Sequence, residues 1–205
     1  MSKTPVSTLR IIGGQWKRRN VRFLAVDDLR PTPDRVRETL FNWLQFEIQG
    51  KRCLDAFAGS GALGLEALSR GASHCLFLEK SPVQAKQLQV TLKELNATHG
   101  EVMTGDSLTL LNRVVEPFDV VFLDPPYSLN LWQPVMALLM SRNLLAVDCL
   151  IYVEADKGWE DLGIPEGWEY FKETRAGTVK GFLCRRAANN IHETVVPAQA
   201  GSHGR

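Results

Sequence analysis

Cysteine, histidine and tyrosine are scarce in this chain: 205 residues hold four Cys, four His and three Tyr. Cys53, Cys75, Cys149 and Cys184 lie far apart, mostly inside apolar runs, with no Cys-x-x-Cys, and His74, His99, His192 and His203 do not cluster with them. That spacing argues against a disulfide framework and a zinc site, and it predicts buried thiols in a reducing cytoplasm. No stretch approaches the ~20 uninterrupted apolar residues of a membrane span. The opening Met-Ser-Lys-Thr-Pro-Val-Ser-Thr has no apolar core of a secretory signal, so the expected location is cytoplasmic. There is no internal repeat. With 44% hydrophobic and 23% charged residues, the chain reads as one ordinary globular domain with an appendage.

The net charge of +1 conceals an uneven distribution. Residues 1–37 hold nine Lys/Arg against Asp27, Asp28 and Asp34, a net +6, which leaves −5 for the rest. A basic end on a faintly acidic body suits a polyanionic partner, or else is a solvated flank. Leu9 to Ile12, a Gly13-Gly14 turn and Trp16 to Phe23 read as a β-hairpin arm. Trp16 beside Lys17, Arg18 and Arg19 presents an aromatic face among phosphate-seeking charges, a mixture suited to RNA.

What the chain has in concentrated form is a strand, a glycine turn and a helix between Cys53 and Gly71. Cys53-Leu54 delivers Asp55 to a sheet rim, Gly59 and Gly61 allow a tight turn, and Leu65 and Leu68 follow on a helix that Gly71 ends. Gly59-x-Gly61-x-x-Gly64, with Glu79 standing 18 residues beyond Gly61, also fits a dinucleotide fingerprint. Asp55, however, would repel a pyrophosphate, and no Lys or Arg in the turn neutralises it. A cationic ligand with a ribose fits better. S-adenosylmethionine is such a ligand: its ammonium and sulfonium favour Asp55, and its ribose hydroxyls favour Glu79. Asp55-x-Phe57-x-Gly59-Ser60-Gly61, followed by an acidic residue ending the next strand, resembles the first motifs of class I methyltransferases.

Asp124-Pro125-Pro126-Tyr127 is the most specific signal. It follows the buried run Phe118–Leu123 and so lies at the same sheet rim. The two prolines remove backbone donors and stiffen the turn, leaving carbonyls free to face a cleft. An exocyclic base amine is a poor nucleophile because its lone pair is delocalised into the ring. Accepting hydrogen bonds from both of its N–H groups, through Asp124 and the Pro125 carbonyl, favours localisation on nitrogen, while Tyr127 stacks on an extruded base. The tetrapeptide resembles the Asp/Asn-Pro-Pro-Tyr/Phe motif of enzymes that methylate amines of adenine, cytosine or guanine.

The coarse reading is an α/β, Rossmann-like, mostly parallel sheet with one antiparallel strand near the edge and a small N-terminal β-hairpin arm. Thr32 is expected to cap a helix starting at Pro33 and running to about Phe46. Further elements are expected at His74–Leu78, Pro82 to about Asn96, Glu101–Met103, Phe118–Leu123, Val135–Met140, Cys149–Val153, Trp168–Thr174 and Thr178–Leu183. Some positions stay open. Asp106 either reaches the cofactor's adenine amine or caps a helix; Thr32 and Arg30 either touch the cofactor's methionine end or shape the helix start. Lys172, Arg175 and Lys180 either extend an RNA face or solvate a hairpin.

Taken together, Arg10-Ile11-Ile12-x-Gly14, Arg30-Pro31-Thr32, Arg37-Glu38-x-x-Phe41-Asn42, the run Phe57 to Ala72 and Asp124-Pro125-Pro126-Tyr127 resemble the bacterial RsmD type of 16S rRNA guanine-N2 methyltransferase over residues 9–185. Ala56 departs from a usually larger apolar residue, Arg18-Arg19 from a common Lys-Gly-Arg pattern, and the tail is extra. The resemblance implies S-adenosylmethionine-dependent methylation of one guanine N2 amine on the assembled or assembling small subunit, with no metal, membrane or obligate protein partner. Asp124, Pro125 and Tyr127 would carry the chemistry; Thr32, Asp55, Phe57, Gly59, Ser60, Gly61, Glu79 and Asp106 would hold the cofactor; Arg10, Lys17, Arg18, Arg19 and Arg22 would meet RNA. Residues 1–30 form the extension, 31–186 the catalytic domain and 187–205 a disordered tail. A DNA adenine-N6 or cytosine-N4 methyltransferase shares both motifs but needs a target-recognition domain that has no room here. An NAD-linked oxidoreductase leaves Asp-Pro-Pro-Tyr unexplained, and an idle RNA-binding module leaves an intact acceptor motif without use.

Overall fold

The alternation of short, branched apolar runs with helical periodicity produces a three-layer α/β structure, described here by a computed structural model for residues 5–25 and 31–188. A seven-stranded sheet contains β3 (Arg52–Asp55), β4 (His74–Glu79), β5 (Gly100–Thr104), β6 (Phe118–Leu123), β7 (Leu145–Ala155), β8 (Trp168–Ala176) and β9 (Val179–Arg186), in the order β5-β4-β3-β6-β7-β9-β8. β3 to β7 run parallel, and β9 is antiparallel to both β7 and β8. The expected reversed strand near the edge is β9.

Successive strand residues feed opposite faces. Cys53, Cys75, Phe77, Val120, Phe122 and Tyr152 pack with α1 (Asp34–Trp43), α2 (Ala62–Ser69) and α3 (Pro82–Glu94). Leu54, Leu76, Leu78, Val121, Leu123, Ile151 and Val153 pack with α4 (Ser107–Leu111) and α5 (Trp132–Ser141). On α1, Val36, Leu40 and Phe41 are fully buried, each worth about 1.5–3 kcal/mol of apolar transfer. All four cysteines are free and buried.

The N-terminal hairpin pairs β1 (Val6–Arg10) with β2 (Asn20–Leu24), which overlap the expected Leu9–Ile12 and Trp16–Phe23 at Leu9–Arg10 and Asn20–Phe23 but are shifted away from the turn. The reason lies on α2. The Glu66 carboxylate accepts the N–H groups of Ile12 (3.0 Å) and Gly13 (2.7 Å), and the Ser69 hydroxyl accepts that of Trp16 (3.0 Å), which pulls this stretch out of a tight turn. Leu9, Ile11, Trp16, Val21 and Phe23 join the core beside α1, α2 and α3. Trp16 is therefore a core residue only 8% exposed, and the expected aromatic face does not exist. α2, roofed by this hairpin and floored by the sheet, is buried at all eight positions, its two polar side chains, Glu66 and Ser69, being the ones that bond the hairpin.

Other boundaries moved for local reasons. Pro33, not Thr32, is the N-cap residue of α1, with no side-chain cap, because the Thr32 hydroxyl is used elsewhere. α5 starts at Trp132, ahead of the expected Val135, since Pro134 in a first turn loses no intrahelical bond. β7 extends over Leu145–Ala155: Leu145 pairs with Phe118 and Leu150–Val153 pair with Val120–Leu123, with a shift of register between them where Val147 and Asp148 are exposed. Ser81 caps α3 as its sequence suggests, accepting from Gln84 N–H. The expectations for Arg30 and for residues 189–205 fall outside the described residues.

Candidate active site

β3 and β6 are neighbours, yet the chain leaves β3 toward β4 and β5 on one side and β6 toward β7 on the other. Their carboxyl ends thus open at the point where strand order reverses, where open α/β sheets form a cleft. Asp55 pairs in register with Phe122, which puts the glycine turn after β3 beside the Asp-Pro-Pro-Tyr turn after β6.

The glycine turn is held by hydrogen bonds from Ala58 N–H to Leu78 O (2.9 Å) and from Gly61 N–H to Ala58 O (2.7 Å). Gly59 and Gly61 have φ of 53° and 77°, in the left-handed region, and a Cβ on Gly61 would press on Leu88. Gly64 serves a different purpose: a Cβ there would run into the Phe77 ring, so glycine lets α2 sit tightly on β4. Ser60 is buried with its hydroxyl accepting from Ala62 N–H (3.3 Å), and Phe57 is half-buried against the second core layer.

Four carboxylates converge on this rim. Asp55, 2% exposed, accepts one hydrogen bond, from Gly64 N–H at 3.0 Å. Burial, reinforced by Glu79, lifts its pKa to about 7 against the Gly64 bond. Glu79 accepts from Gly59 N–H (2.7 Å) and Ser81 N–H (2.8 Å), tying the end of β4 to the turn. Glu154, at the end of β7, is 3% exposed and accepts from Thr32 Oγ1 (2.9 Å), Tyr152 Oη (2.8 Å) and Tyr127 Oη (3.4 Å). Asp124 is the contrast: among the described residues no donor and no cation bonds its carboxylate. Enclosure at the rim, then Glu154, then Asp55 raise its pKa well above the usual carboxylate range.

The neighbouring turn presents a second unused acceptor. Pro126 O accepts Leu129 N–H (3.1 Å) and Tyr127 O accepts Asn130 N–H (3.4 Å), while among the described residues no N–H reaches Pro125 O. The Tyr127 ring stacks on Trp132 at 6.1 Å between centroids and 25° between planes, and the Trp132 indole N–H is fixed to Glu154 O (2.9 Å).

Asp106 is exposed and caps α4, accepting Thr109 N–H at 3.2 Å, so its helix-capping role is realised in the structure. Thr32 reaches the rim through its bond to Glu154. Arg10, Lys17, Arg18, Arg19 and Arg22 are all exposed on the hairpin and its connecting loop, with Arg18 at φ 70°. Lys172 lies over the Trp43 ring and Arg175 pairs with Glu173, which suits the solvated-hairpin alternative for that pair.

Two participants escaped sequence reasoning. Glu154 ends an apolar strand as Glu79 does, a signal present in Leu150-Ile-Tyr-Val-Glu154 but lost when the strand is closed at Val153. Gln84 had no signal: its amide donates to Gly59 O (2.8 Å) and accepts Leu24 N–H (3.1 Å), bridging the hairpin to the glycine turn.

This sheet order, with an acidic, glycine-turned rim and an acceptor-bearing proline turn beside it, defines a class I methyltransferase, an enzyme that draws its methyl group from S-adenosylmethionine. The chain belongs to the family described as Conserved hypothetical protein 95, whose model matches residues 9–185. It is 46% identical over 175 residues to the ribosomal RNA small subunit methyltransferase D of Haemophilus influenzae, covering 83% of this chain and 90% of that protein. The protein of the same name from Escherichia coli strain K12 is 42% identical over 180 residues, covering 88% and 91%. The solved structure of YhhF from Escherichia coli superposes with a TM-score of 0.81 at 42% identity, covering 88% of this chain and 98% of that one.

Proposed function

We propose that this protein transfers one methyl group from S-adenosylmethionine to the exocyclic N2 amine of a specific guanine in 16S rRNA, acting in the cytoplasm on assembled or assembling small ribosomal subunits. The observation that carries this reading is the pair of unengaged acceptors, the Asp124 carboxylate and the Pro125 carbonyl, beside the glycine turn. The choice of guanine N2 follows the resemblance to the RsmD type, and the ribosomal substrate follows the names of the relatives.

The chemistry of the donor set fits the cofactor. A rim with four carboxylates, and no cation paired to Asp55 or Asp124 among the described residues, suits an ammonium and a sulfonium far better than phosphate. Asp55 would face the cationic end, Glu79 has free lone pairs for the ribose hydroxyls, and Gly59, Ser60 and Gly61 would floor the pocket. Phe57, Thr32 and the exposed Asp106 would complete it. When bound, S-adenosylmethionine supplies an electrophilic methyl on a sulfonium sulfur that keeps the bonding pair and departs as a neutral thioether.

The chain's own residues do the rest. Asp124 and Pro125 O would each accept one N–H of the amine, which turns its lone pair toward the methyl and localises it on nitrogen. Tyr127, braced on Trp132 and Glu154, would hold the extruded base. After the N–C bond forms, Asp124 or water would take the surplus proton. Arg10, Lys17, Arg18, Arg19 and Arg22 would track RNA phosphates. Residues 31–186 would thus carry catalysis and 1–30 RNA contact, with the hairpin core shared between them.

Label transfer from methyl-tritiated S-adenosylmethionine to unmethylated small subunits, naked rRNA and DNA tests the proposal. The expected outcome is label on subunits as N2-methylguanine. Label in DNA, or on another base amine, would reject it.

A further inference from the structure

Gln84 holds more than its own helix. It is the third residue of α3, 2% exposed, and Ser81 Oγ already caps its backbone N–H at 3.4 Å. Its side-chain amide makes two further bonds: Nε2 donates to Gly59 O (2.8 Å) and Oε1 accepts Leu24 N–H (3.1 Å). These partners settle how the amide is turned, since an N–H requires its oxygen and a carbonyl requires its NH2. What Gln84 grips is the peptide between Gly59 and Ser60. Gly59 stands at φ 53° with no Cβ to fix its backbone, so that peptide rotates freely unless hydrogen bonds pin it. Glu79 takes the Gly59 N–H and Gln84 takes the Gly59 carbonyl. One turn further along α3, Leu88 occupies the space that a Cβ on Gly61 would need.

The pinned peptide has one polar group left over. The C=O and N–H of a trans peptide point opposite ways, so fixing Gly59 O on Gln84 sends the Ser60 N–H away from that side chain. Ser60 is 5% exposed, and among the described residues no acceptor meets its N–H. A buried N–H without a partner is costly, and a ligand oxygen accounts for one that sits in a binding turn. We infer that Gln84 is a positioning residue for cofactor binding: by fixing the Gly59–Ser60 peptide it keeps the Ser60 N–H as a donor to an oxygen of S-adenosylmethionine, a role that rests on the reading of the glycine turn as the floor of the cofactor pocket. Without Gln84 the peptide is free to turn over, and the donor leaves its place. The glycines that let the backbone approach the ligand thus need a side chain from α3 to hold the shape they permit.

Two measurements on the full chain test this role. In amide NMR spectra of the native protein, saturation with S-adenosylmethionine should move the Ser60 proton downfield and slow its exchange with water. Gln84→Met fills a similar volume with neither donor nor acceptor. In it the Ser60 response should disappear, and affinity for S-adenosylmethionine should fall by about tenfold, the worth of one net hydrogen bond. The KM for the cofactor should rise with it, while kcat at saturating cofactor and the KM for unmethylated small subunits stay at their native values. Gln84→Glu keeps an acceptor for the Leu24 N–H but, with its carboxyl ionised, offers no donor to Gly59 O. It should show the same loss, and it is the readout should Gln84→Met not fold. Native cofactor affinity in either folded variant would overturn the inference, as would a fall in kcat equal to the loss of affinity. A Ser60 resonance unmoved at saturation while Gly59 and Gly61 shift would also overturn it and leave the parent reading standing. No shift at Gly59, Ser60 or Gly61 would remove the parent reading itself.

Discussion

At the residue scale, Asp55 shows how burial prepares a site for a cation. With one hydrogen bond, from Gly64, and Glu79 close by, its pKa of about 7 means that the folded chain holds a proton between roughly pH 4 and 7 which the unfolded chain releases. Stability from this group is therefore greatest at acid pH and is lost as pH rises toward 7. A cationic ligand reverses the preference and draws Asp55 into its charged form. We predict that binding of S-adenosylmethionine near pH 6 releases a proton, seen by calorimetry in two buffers of different ionisation enthalpy, and that the release vanishes in Asp55→Asn. Binding with no proton exchange would separate Asp55 from the cofactor. Cysteine provides a second check. Burial pushes the Cys149 thiol up to about 12 and raises Cys53, Cys75 and Cys184 as well. All four should resist a disulfide reagent at pH 8 in the native protein and react only on unfolding.

At the element scale, α2 connects the hairpin to the sheet. Glu66, fully buried, accepts from Ile12, Gly13 and Arg70 Nε (2.9 Å), with Arg37 at 3.7 Å. Glu66→Ala leaves two N–H groups and a guanidinium without their acceptor and should cost about 3–5 kcal/mol in urea unfolding. Gly64→Ala forces a methyl into Phe77 and should cost about 1–3 kcal/mol. On the outer face of the hairpin, replacing Lys17, Arg18 and Arg19 together by Ala should weaken RNA binding. The logarithmic salt dependence should flatten by about 0.7 for each RNA phosphate that is no longer neutralised. Unchanged affinity would make the arm a solvated flank. Sequence pattern was a good guide to β3, β4 and β6, which are near-continuous buried runs, to α3, which buries one regular face, and to the β8–β9 pair, which a short turn with Gly177 joins. It failed for the hairpin, since the partner of Ile12, Gly13 and Trp16 is a helix some 53 residues away, and a Gly-Gly dipeptide carries no sign of that. The glycine and proline turns were legible because their backbone demands few residue types. Glu154 and Gln84 were not, because what matters about them is which distant groups they meet.

At the scale of the whole molecule, the site depends on strand order. Placing β6 against β3 brings a turn at residues 56–61 and another at 124–127 to one rim, although about 70 residues separate them, and β7 adds Glu154 to the same edge. Among the described residues no helix is long and apolar enough to cross a membrane, and no His, Cys, Asp and Glu cluster offers a metal site. Selective removal of the acceptor tests the central claim most directly: single-turnover label transfer by Asp124→Ala to unmethylated small subunits, with cofactor affinity measured in parallel. The expected result is a rate lower by about 10²–10³-fold, the usual loss when one aligned polar group leaves a transition state, with cofactor affinity little changed. Undiminished transfer, or a loss traced wholly to failed cofactor binding, would contradict it.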